Sequence, residues 1–238
     1  MDKFTQKEII ELLNKADPIW LSSADLSGLD LTGANFSEAN LTNCSFRSAK
    51  LIKANLSGAN LENTSFEEAV LTEARFSETI LHNTSFIKAT GSKMLMLAGK
   101  MDYETRFSEA NLPYSVFAGS EIKGATFDDA ILSNSMFNMA MIINGASFKG
   151  ANLVGGDFRE ANFMGVNFKE SNLRDAKFDT NFDLVEQCCL FDGAIMPDGK
   201  TYIPSWKRKI PCPECGKELS RNAIMCLDCR TLIPRTKR

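Results

Sequence analysis

From Leu26 to Phe178 a large apolar residue recurs at every fifth position, beginning Leu26, Leu31, Phe36, Leu41, Phe46, Leu51, Leu56, Leu61, Phe66 and Leu71. Two residues before most of these stands a small one, as at Ala34, Ala39, Ala49, Ala54, Ala59 and Ala69. A spacing of two puts both side chains on one side of an extended run. Small-polar-large therefore reads as a three-residue strand with its first and third residues inward and its middle residue outward. The two remaining residues must turn the chain, and Gly28, Gly33, Gly58, Gly119 and Gly124 suit tight turns. A helix would show a period near 3.6, which this stretch lacks.

A longer period lies over the short one. Phe46, Phe66, Phe86, Phe107, Phe127, Phe148 and Phe168 follow one another at twenty residues, with one-residue slips before Phe107 and Phe148. Four five-residue sides per turn predict an all-β solenoid of four-sided coils. At the ordinary strand spacing of roughly 4.8 Å, about eight coils make a rod roughly 40 Å long. The third column is mostly aromatic (Phe36, Phe76, Phe117, Phe137, Phe158, Phe178) and the fourth aliphatic (Leu41, Leu61, Leu81, Ile122, Ile142). Opposite walls are then matched, Phe facing Phe and Leu facing Leu or Ile, with no need of a cofactor inside.

Two places interrupt the pattern. Over residues 87–106, Gly91, Met96 and Met101 fall where core residues belong, so the coil is expected to continue in distorted form with its extra residue among Asp102–Arg106. Leu95 and Leu97 then face outward, either as the outside of a repacked coil or as a partner contact. The second slip lies at Ile142–Ile143, as a bulge. Past Phe178 the motif frays, with Phe182, Leu184, Phe191 and Met196 expected to finish the stack. Cys188 and Cys189 in this segment read as apolar filling rather than as a redox pair, and Cys44, in an inward small-residue position before Phe46, reads as core.

Residues 5–15 read as an amphipathic helix, with Thr5 and Glu8 as a capping box and Ile9, Ile10, Leu12 and Leu13 as its apolar stripe. A first coil would otherwise leave an open edge, so residues 1–21, Trp20 included, are expected to cap the solenoid of residues 22–200, a partner-binding helix being the other reading. A basic linker, 201–209, containing Lys207, Arg208 and Lys209, leads to a module at 210–238.

That module carries Cys212-Pro-Glu-Cys215-Gly and, with ten residues between Cys215 and Cys226, Cys226-Leu-Asp-Cys229. Each C-x-x-C is a tight knuckle that points two sulfurs at one centre, and two knuckles supply the four soft ligands of tetrahedral Zn²⁺. An iron site or two disulfides are the other readings of the spacing. With four protein ligands no position is open to substrate, so the zinc is expected to be structural. The stretch resembles the small zinc-ribbon family, departing from it where Arg230 stands in place of the usual glycine.

The repeats themselves resemble the pentapeptide-repeat family, motif A-(D/N)-L-x-x, over roughly residues 22 to 196. The resemblance implies a right-handed quadrilateral β-helix. It also implies one mode of action, because some members mimic the DNA duplex and bind type II topoisomerases such as DNA gyrase. Members often dimerise through the C-terminal end of the helix, which here leads into the zinc module; the oligomeric state stays open, a dimer included.

Charge bears on that. The net charge of −3 divides unevenly. From Trp206 to Arg238 nine Lys/Arg face three Asp/Glu, a net of +6, while the rest of the chain carries 18 basic and 27 acidic residues, a net of −9. Spread over the rod, this is about one net charge per 4–5 Å, against one per roughly 1.7 Å in duplex DNA. The basic module allows nucleic-acid contact, although four thiolates around Zn²⁺ offset about two of its positive charges.

No apolar run approaches the roughly eighteen residues of a membrane span, and the first residues lack a signal peptide's apolar centre, so a cytoplasmic protein without a membrane role is expected. Metal-ligand spacing of the cysteines fits a reducing compartment. His82 is the one histidine and is expected in solvent, and carboxylates such as Glu67, Glu68, Asp128 and Asp129 read as a solvated face. No acid–base pair, nucleophile or phosphate loop stands out. The expected function is non-enzymatic: a rigid rod with a zinc-ribbon adaptor for a protein or nucleic-acid partner.

Overall fold

The computed structural model describes residues 2–13, 19–179, 188–203, 209–211 and 217–220. The chain opens with β1 (Asp2–Lys3) and α1 (Gln6–Leu13), followed by β2 (Ala24–Asp25). Along the coils, the longer strand segments are β3 (Lys100–Met101), β4 (Glu121–Lys123), β5 (Met141–Ile143) and β6 (Asn162–Phe163). Beyond them β7 (Lys209–Pro211) pairs antiparallel with β8 (Glu218–Ser220).

Among the described residues, the sides of the coils are tied to the same side one coil on by parallel bridges, down to Asn162 and Lys177 in two of the columns. Asp25, Ser45, Ser65 and Ser85 form one such column, and Asn35, Asn55, Arg75 and Leu95 another. The spacing is twenty residues until Ile80↔Lys100 and becomes twenty-one at Ser85↔Arg106, which puts the first extra residue between Lys100 and Arg106. It is twenty at Glu121↔Met141 and twenty-one at Thr126↔Ser147, so the second slip lies in the stretch holding Ile142 and Ile143. A third follows: Asp157↔Lys177 is twenty and Asn167↔Leu190 twenty-three. Phe182 and Leu184 lie outside the described residues, whereas Phe191 is buried and Met196 half-buried against the core.

The five-residue unit has a hydrogen-bond logic for each position. The amide of the small residue closes a turn onto the large residue of the preceding unit, as Ala34 N–H does on the Leu31 carbonyl at 3.0 Å. The outward Asn or Asp accepts from the amide two residues on: Asp25 from Ser27, Asn40 from Thr42, Asn60 from Glu62 and Asn172 from Arg174, at 3.0–3.2 Å. Such an Asx bond satisfies a turn amide that the ladder leaves free. The last turn residue sits in the left-handed region. Gly33 (φ 71°) suits that by lacking a Cβ, yet Glu38, Lys53, Glu68 and Glu78 take it too, at φ 58–60°.

Inside, two Phe columns stack coil upon coil. Phe46, Phe66, Phe86, Phe107, Phe127, Phe148 and Phe168 lie 4.4–5.4 Å apart, ring parallel to ring. Across the lumen they meet the second column edge-on, as in Phe107–Phe117 at 5.7 Å and Phe66–Phe76 at 5.3 Å. The spacing of the stack is the spacing of the strands, so the backbone ladder and the aromatic stack reinforce each other. The distorted coil keeps its register by moving volume about. Gly91 fills a large-residue position where a Cβ would lie 2.6 Å from the Thr72 nitrogen, and Met94 fills a small-residue position with its side chain fully buried. Gly99 then leaves room for Met96, whose Cγ would be 2.9 Å from an added Cβ.

A hydroxyl or thiol replaces the small residue in one column and bonds to the coil before. Cys44 donates to the Leu21 carbonyl at 2.8 Å, Thr64 to Leu41 at 2.7 Å, Thr84 to Leu61 at 2.8 Å and Thr105 to Leu81 at 2.7 Å. Cys44 is core, as expected, and burial pushes its thiol up to about 11.

At the N-terminal end Thr5 and Glu8 make the reciprocal pair of a capping box: the Thr5 amide donates to Glu8 at 2.8 Å and the Glu8 amide to Thr5 at 3.3 Å. β1 pairs parallel with β2, and Ile9 of α1 is fully buried in the same core as Leu21 and Leu26. Two expected contributors are not there. Ile10 is exposed because it lies about 100° round the helix from Ile9. Trp20 is 74% exposed because it occupies the outward middle position before inward Leu21. At the far end Thr201 pairs with Ile195, and Tyr202 packs 5.7 Å from the Phe191 ring.

Two measurements test this packing. Phe107→Ala interrupts a stack at mid-rod and is expected to lower the unfolding free energy by about 3–5 kcal/mol in urea titration. For Cys44, the folded pKa lies above the unfolded value near 9, so its contribution is intact below pH 9 and declines as pH rises towards 11. Stability of the wild type is expected to fall over that window by about 2–3 kcal/mol more than that of Cys44→Ala.

Candidate functional site

The side chains that could act are those on the four outer faces, and the coil register decides which of them are neighbours. Residues twenty or twenty-one apart sit side by side. On the face that carries the second Phe column, the bridges set Arg75, Leu95, Val116, Met136 and Asp157 in one row along the rod. Leu95 is half-buried and Leu97, beside it, is 43% exposed. Val116 and Ala118 of the next coil are half-buried, while Met136 and Met139 of the following coil are 47% and 60% exposed. Tyr114, on the corner that leads into this face, is 55% exposed. Leu95 and Leu97, singled out from the sequence, are thus part of a patch three coils tall. Its other members are far apart in sequence and fall into line only once the slip before Phe107 is counted.

Charge closes the patch at both ends. Arg75 is exposed in the coil before Leu95. In the coil after Met136, Arg159 binds Asp157 in a fork, Nε to Oδ1 at 2.9 Å and Nη2 to Oδ2 at 2.5 Å. The guanidinium holds the Asp157 carboxyl below the usual carboxylate range and is itself raised by it.

Elsewhere the carboxylates are interleaved with bases from adjoining coils. Arg47 pairs with Glu67 and, at 3.6 Å, with Glu68; Lys50 pairs with Asp30, Lys53 with Glu73 and Lys88 with Glu109, at 3.6–3.8 Å. Exposed pairs of this kind add little stability but cut the local field of the acidic rod. Asp128 makes local hydrogen bonds, to the Ser147 hydroxyl at 2.5 Å and the Lys149 amide at 3.1 Å. His82 is exposed, as expected. A depression of about 530 Å³ near the C-terminal end of the rod is lined by residues 196–198 and 200–203, where Asp198 and Lys200 pair at 2.9 Å.

Cys188 does not fill the core: it is exposed, at φ 55°, on the turn that leads back into the stack. Its neighbour Cys189 is half-buried, and burial raises its pKa. The four cysteines of the two knuckles, Cys212, Cys215, Cys226 and Cys229, lie outside the described residues, as do Lys207 and Arg208. Lys209 opens β7, whose pairing Lys209↔Ser220, Ile210↔Leu219 and Pro211↔Glu218 makes a hairpin. The segment that joins its strands contains Cys212 and Cys215. Among the described residues no cluster of three or more His, Cys, Asp or Glu could hold a metal, and no helix is long and apolar enough to cross a membrane.

With four sides per coil and the residue roles fixed, the class is defined: a repeat protein whose unit is five residues. The model of pentapeptide repeats matches residues 21–58, 54–90, 103–138 and 142–179, more than half of the chain, and the protein belongs to the pentapeptide-repeat family. Members form right-handed quadrilateral β-helices. No curated protein matches the chain. Among solved structures it is similar to QnrB1, a plasmid-mediated fluoroquinolone resistance protein, at 19% identity over 69% of this chain and 92% of that one, TM-score 0.47. It is also similar to HetL, involved in heterocyst differentiation regulation in the cyanobacterium Nostoc, at 23% identity over 82% and 98%, TM-score 0.36. A third is a pentapeptide repeat protein of the Arabidopsis thaliana thylakoid lumen, at 21% identity over 65% and 72%, TM-score 0.27.

Proposed function

We propose that the protein is a non-enzymatic interaction scaffold: a rigid pentapeptide-repeat rod that carries a zinc-ribbon adaptor for a protein or nucleic-acid partner. The observation that carries this reading is where the chemistry goes. The apolar and hydroxyl groups of the coil interior are consumed by stacking and by bonds between coils. The shifted carboxylates are surface groups held by a local lysine, arginine or threonine. What the rod offers a partner is shape, an apolar patch and a rigid distance. On the same reading α1, through Ile9, is the end cap that covers the first coil.

Cys212, Cys215, Cys226 and Cys229 would hold the zinc. Two observations support the fit: the donor set is four thiols in paired knuckles, and the antiparallel β7–β8 hairpin brackets the first pair. When bound, the metal serves as a cross-link that supplies folding energy to a module too small for a core of its own. The basic residues Lys207, Arg208 and Lys209 then stand at the junction between rod and adaptor.

Two experiments test the reading. Cys226→Ser is expected to lower zinc content from one equivalent to a small fraction of it by metal analysis, while the β-sheet circular dichroism of the rod survives; loss of both signals together would show that the rod depends on the metal. Affinity capture from nuclease-treated lysate compares wild type with Cys226→Ser/Cys229→Ser. A partner held by the wild type and lost by the variant places recognition on the ribbon. A type II topoisomerase subunit captured equally by both would move the function to the acidic rod and replace the adaptor reading with duplex mimicry.

A further inference from the structure

The row Arg75, Leu95, Val116, Met136, Asp157 has a property that its composition alone does not reveal: it reads as the complement of itself when reversed. Val116 is at the centre, with an apolar residue on either side, a cation at one end and an anion at the other. From this we infer that this face is the contact between two copies of the chain, packed face to face with their rods antiparallel and a two-fold axis passing beside Val116.

The symmetry fixes every pairing. A two-fold axis that lies in the contact plane, across the rods, reverses the order of coils and keeps each lateral column opposite itself. Val116 then meets Val116 of the second copy, Leu95 meets Met136, and Arg75 meets Asp157 twice over. In the neighbouring column Ala118 faces its own copy and Leu97 faces Asn138. On the corner beyond, Ala98 faces Met139, a small residue against a large one. On the opposite corner Tyr114 faces Tyr114, two half-exposed rings at the axis. In the same corner column Lys53, which also pairs with Glu73 of its own chain at 3.8 Å, lies opposite Asp175 of the other copy, a second pairing of opposite charge two coils outside the apolar centre. One pairing opposes this arrangement: Glu78 faces Glu160 at the margin, where Arg159 stands beside it.

Size sets the strength. Seven coils overlap, from that of Asn55 to that of Lys177, over roughly 34 Å at the strand spacing. With a face about 12 Å wide this buries on the order of 400 Å² per copy, half of what a standard interface takes from each partner. The dimer is therefore weak and dependent on concentration, with charge selecting the register and the apolar centre supplying most of the attraction. A parallel arrangement would bring Arg75 against Arg75, whereas the antiparallel one sets Arg75 against Asp157, whose carboxylate also holds Arg159 of its own chain; charge thus favours the antiparallel orientation.

Sedimentation equilibrium on the full-length protein, from about 1 to 200 µM, spans the range of a weak self-association. The wild type is expected to pass from monomer to dimer over this range. Val116→Arg puts two like charges at the axis and is expected to weaken association by about 100-fold or more. Lys53→Glu is expected to weaken it several-fold, and Lys53→Glu combined with Asp175→Lys to restore it, because the swap re-pairs the charges only in the antiparallel register. Neither residue of that pair faces the core, so the swap remains informative if Val116→Arg fails to fold. A wild type that stays monomeric throughout overturns the proposal, as does a dimer that neither Val116→Arg nor the Lys53 variants weaken. A Lys53→Glu loss that Asp175→Lys deepens overturns the antiparallel orientation.

Discussion

The interior of each coil is one strand thick, and everything else follows from that. A side chain in the core has a like neighbour above and below at strand spacing and one opposite wall to meet. Flat rings meet the requirement best: they stack along the rod at 4.4–5.4 Å and touch the facing column by their edges. Backbone bridges and ring stacking share one repeat, so neither has to stretch to suit the other. The coils bearing Gly91, Met94 and Met96 show the tolerance of the scheme, since volume lost at one wall is returned at the next.

Such a rod separates its inside from its outside completely. The inward positions are spent on stability, and the outward ones contribute less of it, through turn bonds, exposed ion pairs and side-chain bonds between coils such as Asn55 to Asn35 and Asn83 to Asn63. Function can then be placed on a face by changing outward residues without touching the core. The row from Arg75 to Asp157 is an instance. Its members serve no packing role inside, and three consecutive coils carry apolar residues where the rest of the row has Asn35, Asn55, Arg75, Asp157 and Lys177.

Much of this was legible in the sequence because the core positions obey two periods at once. The five-residue step identified the strand, and the twenty-residue step identified the coil. Together they kept Met96 and Met101 in register through a stretch with no recognisable motif, and they placed Cys44 inside. What was not legible depends on direction in space. Trp20 invited a packing role, yet its place immediately before Leu21 turns it outward; Ile10 lost its contact by one helical step from Ile9. The role of the outward Asn and Asp as acceptors for turn amides needs the turn geometry, and the left-handed Glu and Lys residues contradict simple propensity. The patch was half-seen, through Leu95 and Leu97. Val116, Met136 and Met139 join it only when the inserted residue after Met101 is counted, since that slip decides which positions face one another.

On the proposed function, a self-sufficient rod carries a module folded by its metal. Amide hydrogen exchange on the full-length chain, with and without a zinc chelator, tests it most directly. Protection of residues 20–179 is expected to be the same in both conditions, while residues 209–238 lose theirs when the metal is removed. Loss of protection along the Phe columns on chelation would contradict the rod's independence, and residues 209–238 exchanging alike in both conditions would contradict the metal's role.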